Sequence, residues 1–458
     1  MKRIIAIRLS VWLLGIAFSL SIMAQENVHA QSETYQWPSD ALVVQNLHSW
    51  QDLKFGVLLH WGLYSVPGIV ESWSICDEDW ITRDTTCTYQ QYMDWYFSLA
   101  DEFNPTQFNP VQWADVCSEA GMRYMIFTTK HHDGFCMFDS NETDFTIARH
   151  AFRNDDRRDV LKHVLDAYRN RNFVVGTYFS KPDWHSQDYW WDVYGKKGRN
   201  VNYSTKQHPD RWNRFKQFTY CQLDEILSRY GKVDILWLDG GWVWPGNRGQ
   251  DIDMPRIAQM ARSHQPGIII VDRTIHGPYE NYQTPERTIP ETQLDYPWES
   301  CIPLSDDWGY VRNPRWKSAG KVIATLVEVV AKGGNLVLGI GPTPEGTIQP
   351  EVVERLKEIG RWLRLNGKAI YGTCPTNHYH EGNLWFTASK DGKSRYAIYL
   401  PKEEEPMPLS ITWSNNIPRK GARLLATDKK MRTTVKGNQA TVFLPKNMKK
   451  EAFALEIF

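Results

Sequence analysis

Six short, almost uninterrupted apolar runs punctuate the first three quarters of this chain, at residues 55–60, 124–128, 173–178, 233–238, 267–271 and 336–340. Runs this short, without polar alternation, fit strands covered on both faces. Between them, residues 111–120, 159–170, 211–230 and 254–263 carry helical periodicity. Strand and helix alternating over roughly 300 residues predict a parallel α/β fold, and the number of runs favours a (β/α)8-like barrel over an open sheet. Residues 36–372 are assigned to it. No Gly-x-Gly-x-x-Gly follows the first run, which removes support for a dinucleotide fold.

Beyond Gly372 the pattern changes. Two β-rich runs flank Asp391-Gly392, a hairpin signal, and short strands continue without long helices. Residues 375–458 therefore read as a C-terminal antiparallel β-sandwich. At the other end, Lys2, Arg3 and Arg8 precede the apolar stretch 10–23, and polar residues follow Ala24. This is the layout of a cleaved signal peptide over residues 1–24, implying an exported protein, periplasmic or secreted, with no integral span after processing. Processing leaves 50 basic against 53 acidic residues, a net charge of about −3, which gives no reason to expect nucleic acid as a partner. The seven cysteines include no Cys-x-x-Cys pair, so a zinc ribbon is not expected. Export would permit a disulfide, and Cys76 with Cys87 is the nearest pair. Buried free thiols are favoured, because a core of this size needs no staples. The 21 tryptophans and 21 tyrosines exceed what core packing asks for and favour a carbohydrate site, since ring faces pack against sugar C–H faces.

In a barrel of parallel strands the chemistry gathers at the strands' C-terminal ends. The runs there end in His60-Trp61, in Lys130-His131-His132-Asp133-Gly134, in Tyr178 followed by Asp183 and His185, in Trp237-Leu238-Asp239-Gly240, and in Asp272-Arg273. Each alone reads as a turn or a structural polar group; their convergence on one axis favours a site. His131 and His132 cannot both face inward along a regular strand, so they sit at or past its end, where neutral imidazoles can grip adjacent hydroxyls. Metal ligation is the rival use. It is not favoured, because the first strand supplies only His60 and the fourth an aspartate. Asp239, followed by two glycines, suits a nucleophile. A glycosidase needs a second carboxyl group, and the candidates are Glu280, Glu286, Glu291, Asp295, Glu299, Asp306 and Asp307. Glu299 stands beside Trp298, and an aromatic neighbour can desolvate a general acid and raise its pKa.

Taken together, these residues resemble the α-L-fucosidases of glycoside hydrolase family 29. The matching strings are "KFGVLLHWGLYSVPG", "GMRYMIFTTKHHDGFCMFDS", "DILWLDGGW", "YENYQTPERTIPETQLDYPWESC", "WGYV" and "AKGGNLVLGIGPTPEGTI", which together run from about residue 54 to 348. The resemblance implies a (β/α)8-like barrel with a β-sandwich behind it, and a retaining exo-glycosidase that needs neither cofactor nor metal. Its substrate would be a fucosylated oligosaccharide or glycan. It further implies Asp239 as nucleophile and Glu299 as acid/base. His60, His131 and His132 would bond fucose hydroxyls, Trp237 and Tyr178 would line the pocket, and Arg273 would sit beside the sugar. Trp80 matches the tryptophan of the family's Glu-Trp-Tyr contact, with Glu78 or Asp79 as its carboxylate. Phe179 replaces the second tyrosine of a Tyr-Tyr-Ser string. A related enzyme on a fucose-like sugar, such as an α-L-galactosidase, and an inactive sugar-binding barrel are the alternatives. Linkage would be read by loops outside these strings, among them those carrying Trp73, Trp190, Trp191, Trp242 and Trp244. The Trp242-Val243-Trp244 segment is expected to be a platform for the leaving group. The sequence does not specify the oligomeric state.

Overall fold

The computed structural model describes residues 35–195, 197–273 and 277–458. The expected signal peptide lies outside them. The apolar runs form parallel strands: β1 (Phe55–Leu59), β2 (Tyr124–Lys130), β3 (Val174–Ser180), β4 (Ile235–Asp239), β5 (Ile269–Val271) and β7 (Asn335–Ile340). A further strand, β6 (Glu299–Pro303), comes from a stretch with no apolar run. The sheet runs β5-β4-β3-β2-β1-β7-β6, with every pairing parallel. Helices cover its outer face, at Pro110–Glu119, Val160–Arg169, Pro209–Arg229, Met254–His264, Ala319–Ala331 and Pro350–Asn366. Asn109 starts the first of these by accepting the Gln112 N–H, and Pro110 fits the first turn because its missing N–H has no intrahelical partner to lose.

Side chains divide along each strand with the period of two that strand geometry dictates. Phe55, Val57 and Leu59 belong to the large core between sheet and helices, together with Met125, Phe127, Leu236 and Leu238. Leu58, Tyr124, Tyr178, Ile235, Trp237, Val271 and Val337 point the other way and fill the barrel's interior. That interior is a packed aromatic core, as small barrels require. Gly56 makes room for it: a Cβ there would lie 2.5 Å from the Tyr124 ring.

Two edges, β5 and β6, are not bonded to each other. The segment 281–287 lies between them as an irregular eighth stave. Asn281 bonds Ile270 through its backbone N–H and through its side-chain oxygen. On the other side Glu299 N–H donates to Gln283 O, Cys301 N–H to Pro285 O, and Arg287 N–H to Cys301 O. Pro285 has no N–H and cannot complete a ladder, which accounts for the irregularity.

C-terminally, Thr373–Glu381, Leu384–Ser389, Arg395–Tyr399, Ala422–Leu424, Lys429–Met431 and Phe453–Ile457 form a six-stranded antiparallel sheet. Ser410–Trp413, Thr433–Lys436 and Gln439–Phe443 form a three-stranded one, and Phe386, Ala397, Trp413, Val442 and Leu455 pack together between the two sheets. The Asp391-Gly392 hairpin forms, with Gly392 at positive φ. This assembly meets the barrel through Trp362, whose indole donates to Ala452 O, and through Asn366, which accepts the Ala454 N–H. All seven cysteines are free. Among the described residues no helix is long and apolar enough to cross a membrane.

Candidate active site

Asp239 is the last residue of β4 and opens onto a pocket at the C-terminal end of the sheet. His60, Glu71, Trp73, His131, His132, Tyr178, Trp237, Trp242, Arg273, Glu286 and Trp308 surround the same space. One oxygen of Asp239 accepts from the Arg273 guanidinium at 2.6 Å, and the other from the Tyr178 hydroxyl at 2.5 Å. Burial alone would raise its pKa. Arg273, Tyr178 and the Gly240 N–H overcome burial and hold the carboxyl well below the usual carboxylate range, so it is ionised. Gly240 takes positive φ, and a Cβ there would meet the Pro182 ring at 2.3 Å.

The two histidines after β2 both face the pocket. Lys130 ends the strand and is bolted to Asp183 at 3.0 Å and to Gln222 at 3.0 Å. Asp133 accepts from the Tyr96 hydroxyl and the Phe135 N–H. These polar neighbours therefore fix the bend and leave the imidazoles to the pocket. His131 Nδ1 meets the Ser72 hydroxyl at 2.5 Å. His132 Nδ1 meets the Ser180 hydroxyl at 2.7 Å, and that hydroxyl donates its only hydrogen to Pro182 O. Nδ1 of His132 must then carry the proton, which leaves Nε2 as an acceptor, 3.8 Å from Asp239 Oδ2. His60 stacks on Trp308, with ring centroids 5.2 Å apart. Burial, and for His60 and His132 the neighbouring His131, push all three rings below their ordinary pKa, His131 to about 4. They are neutral hydrogen-bonding groups at pH 7.

Trp237 is stacked against Tyr178 and lies under the Arg273 guanidinium, 4.6 Å from ring centroid to Cζ. Arg273 also reaches Glu286 Oε2 at 2.7 Å, so one guanidinium joins two carboxyl groups across the pocket. Glu286 stands on the irregular stave.

Two expectations need correction. Glu299 does not line the pocket. It begins β6, is 0% exposed, and accepts from the Tyr124 hydroxyl at 2.7 Å inside the barrel. Trp237 and Tyr282 turn their polar groups toward the same carboxyl without reaching hydrogen-bond geometry. Trp237 thus stands between Glu299 and the substrate space. Burial raises Glu299 to about 8. Glu286, passed over among the carboxylate candidates, lines the pocket and is joined to Asp239 through Arg273. Trp80 is 49% exposed and stands outside the pocket. Its neighbour Glu78 pairs with Arg199 through both oxygens, at 2.9 Å each. The carboxylate and ring in the pocket are Glu71 and Trp73. Glu71 accepts the Trp308 and Gly309 N–H groups on one oxygen, at 2.6 and 2.9 Å, and burial raises it to about 7.

Of the tryptophans expected to read the leaving group, Trp190 is buried. Trp242 packs between Trp73 and His132 at the pocket's edge, and Trp244 is 40% exposed. Trp308 was not among the expected residues, because the strand it follows, β6, has no apolar run to announce it.

An ionised carboxylate at a strand end, a second carboxyl joined to it by an arginine, and neutral imidazoles and tryptophan faces around them define a glycoside hydrolase of the barrel type. The family model described as "Alpha-L-fucosidase" matches residues 22–368. Human tissue alpha-L-fucosidase is 32% identical over 394 residues, which cover 80% of this chain and 78% of that one. An alpha-L-fucosidase isoenzyme from Paenibacillus thiaminolyticus superposes with a TM-score of 0.76 at 28% identity, covering 91% of this chain and 99% of that one. A Bacteroides thetaiotaomicron GH29 enzyme, solved as a trapped covalent intermediate with 2-fluoro-fucosyl fluoride, gives 0.73 at 25% identity, covering 94% and 98%. The chain belongs to the α-L-fucosidase family, glycoside hydrolase family 29.

Proposed function

We propose that this enzyme removes terminal α-L-fucosyl residues from fucosylated glycans with retention, and that Asp239 and Glu286 are its catalytic pair. The observation that carries the pair is the Arg273 bridge between them. Two carboxyl groups held by one guanidinium favour the close spacing of a retaining pair, about 5 to 5.5 Å, over the wider gap that admits a water in inverting enzymes. Asp239, ionised and fixed, attacks the anomeric carbon as Glu286 protonates the departing oxygen. In the glycosyl ester Asp239 has lost its charge, and Glu286 becomes the remaining anionic partner of Arg273. That is the form a general base needs to activate water. His60, His131, His132 and Glu71 bond the sugar's hydroxyls, with His132 Nε2 accepting. Trp237, Trp308 and Tyr178 supply apolar walls.

The test is trapping with 2-fluoro-fucosyl fluoride followed by peptide mass spectrometry. The fucosyl adduct is expected on the peptide carrying Asp239. An adduct on Glu286, or none in an enzyme that still turns over aryl fucoside, would sink the assignment.

A further inference from the structure

Beside the catalytic pocket, and sharing Arg199 with it as a wall, lies a polar recess of about 300 Å³. Asp77, Glu78, Asp79, Asn200, Asn202 and Arg248 line it. Three loops meet there, following β1, β3 and β4, and they are stitched together beneath it. Asp77 N–H donates to Lys197 O, and Arg199 N–H donates to Glu78. The buried Gln250 accepts from Val201 N–H and donates to Asn200 Oδ1. The indoles of Trp190 and Trp184 hold the carbonyls of Gly198 and Arg199 from below. The recess is therefore formed before any ligand arrives.

Its polar groups are only partly used. Arg199 spends Nε and one terminal nitrogen on Glu78, and its other terminal nitrogen bonds nothing among the described residues. Its guanidinium lies 5.2 Å from the Trp73 ring and 5.5 Å from the Trp242 ring, at the boundary with the pocket. Asn200 Oδ1 accepts twice, from Asn247 and Gln250, so its amide nitrogen is the end left for a ligand. The Asp79 side chain has no partner among the described residues, and it is exposed. Donors and an acceptor left over side by side, next to aromatic rings, match the alternating donor and acceptor character of sugar hydroxyls. Asp77 is paired with Arg83 and Glu78 with Arg199, so the exposed Asp79 is the carboxylate left to face an occupant, and it disfavours an anionic group placed against it.

We propose that this recess is the leaving-group subsite, and that it takes a neutral, hydroxyl-rich sugar carrying the fucose. This rests on the fucosidase reading above. A sugar bearing a carboxylate or sulfate is repelled where it meets Asp79. The polar recess, not the exposed Trp244 face, then selects among fucosylated glycans.

The test compares an aryl α-L-fucoside, whose leaving group is not a sugar, with a fucosylated neutral oligosaccharide and its acidic counterpart. Asp79→Ala removes the free acceptor. Asn200→Asp keeps the oxygen that Gln250 and Asn247 use and removes the amide donors. Each is expected to lower kcat/KM on the neutral oligosaccharide about tenfold and to leave the aryl fucoside within about twofold, which also reports that the fold is intact. Asp79→Asn should narrow the gap between neutral and acidic oligosaccharides. Unchanged oligosaccharide turnover in both variants, or equal losses on both substrates, overturns the subsite. Wild-type enzyme inert toward the aryl fucoside as well as the oligosaccharides overturns the fucosidase reading, and the subsite falls with it.

Discussion

Asp239 and Glu299 both stand at strand termini, both are withdrawn from water, and both accept a hydrogen bond from a tyrosine, yet they are in opposite states. At the rim, Asp239 has Arg273 beside it and is ionised. In the interior, Glu299 has Tyr124 and, among the described residues, no cation bonded to it, and burial keeps it protonated at neutral pH. The difference lies in charge compensation and not in depth. A buried carboxyl becomes reactive when a fixed cation faces it and a substrate can reach it; without these it becomes one more neutral member of the core. A raised pKa by itself does not mark a general acid.

The contrast is broken most severely at the rim. Asp239→Ala should reduce kcat by roughly 10⁴ or more on every fucoside, since the covalent route is gone. Glutamate replacement comes next. Glu286→Ala should lower kcat on natural glycosides by about 10² to 10⁴ and spare aryl fucosides with good leaving groups. Glu299→Ala should affect both substrate types alike and cost about 1 to 3 kcal/mol of stability, because the Tyr124 hydroxyl is left buried without its acceptor. If Glu299→Ala discriminates between leaving groups and Glu286→Ala does not, the two roles are reversed.

The smallest effect sharpens the interior half of the comparison. Glu299 goes from its ordinary 4.5 to about 8 on folding, so the folded chain holds this proton more tightly. Its contribution to stability is full below pH 4.5, declines as pH rises through the interval, and is gone above about 8. Glu299→Gln cannot titrate. Thermal melts across that interval should show the wild type losing stability with pH relative to Glu299→Gln. A difference that is flat with pH would mean Glu299 is already ionised in the fold.

The same contrast explains what could be read from the sequence. His60, His131, His132, Trp237, Asp239 and Arg273 end, or closely follow, apolar runs, and a parallel barrel carries such residues to one face. Glu286 has no such marker. Its stave, Asn281-Tyr282-Gln283-Thr284-Pro285-Glu286-Arg287, has neither apolar continuity nor alternation. It is held in place by bonds from β5 and β6 that only the folded barrel supplies. Glu299 misleads because its desolvation is real but comes from Tyr124, Trp237 and Tyr282 in the barrel interior, whereas Trp298, its neighbour in sequence, points to the outer core. The other miss is a matter of spacing. Glu71-Ser72-Trp73 and Glu78-Asp79-Trp80 are the same Glu-x-Trp pattern seven residues apart. Only the turn at Ser72–Ile75, which buries Ser72, Ser74 and Ile75, decides which copy faces the pocket.

The hydrogen-bond chain from His132 through Ser180 to Pro182 runs in one direction, because a carbonyl at its end can only accept. The nitrogen at its head, Nδ1, is therefore held protonated, and the other, Nε2, is left as an acceptor toward whatever approaches Asp239. On the function proposed above, a sugar meets it with a free hydroxyl: an acetyl or methyl cap at that oxygen would remove the hydrogen that the nitrogen needs and add bulk beside Asp239. Modification of a single hydroxyl would thus shield a glycan from this enzyme without altering its linkage.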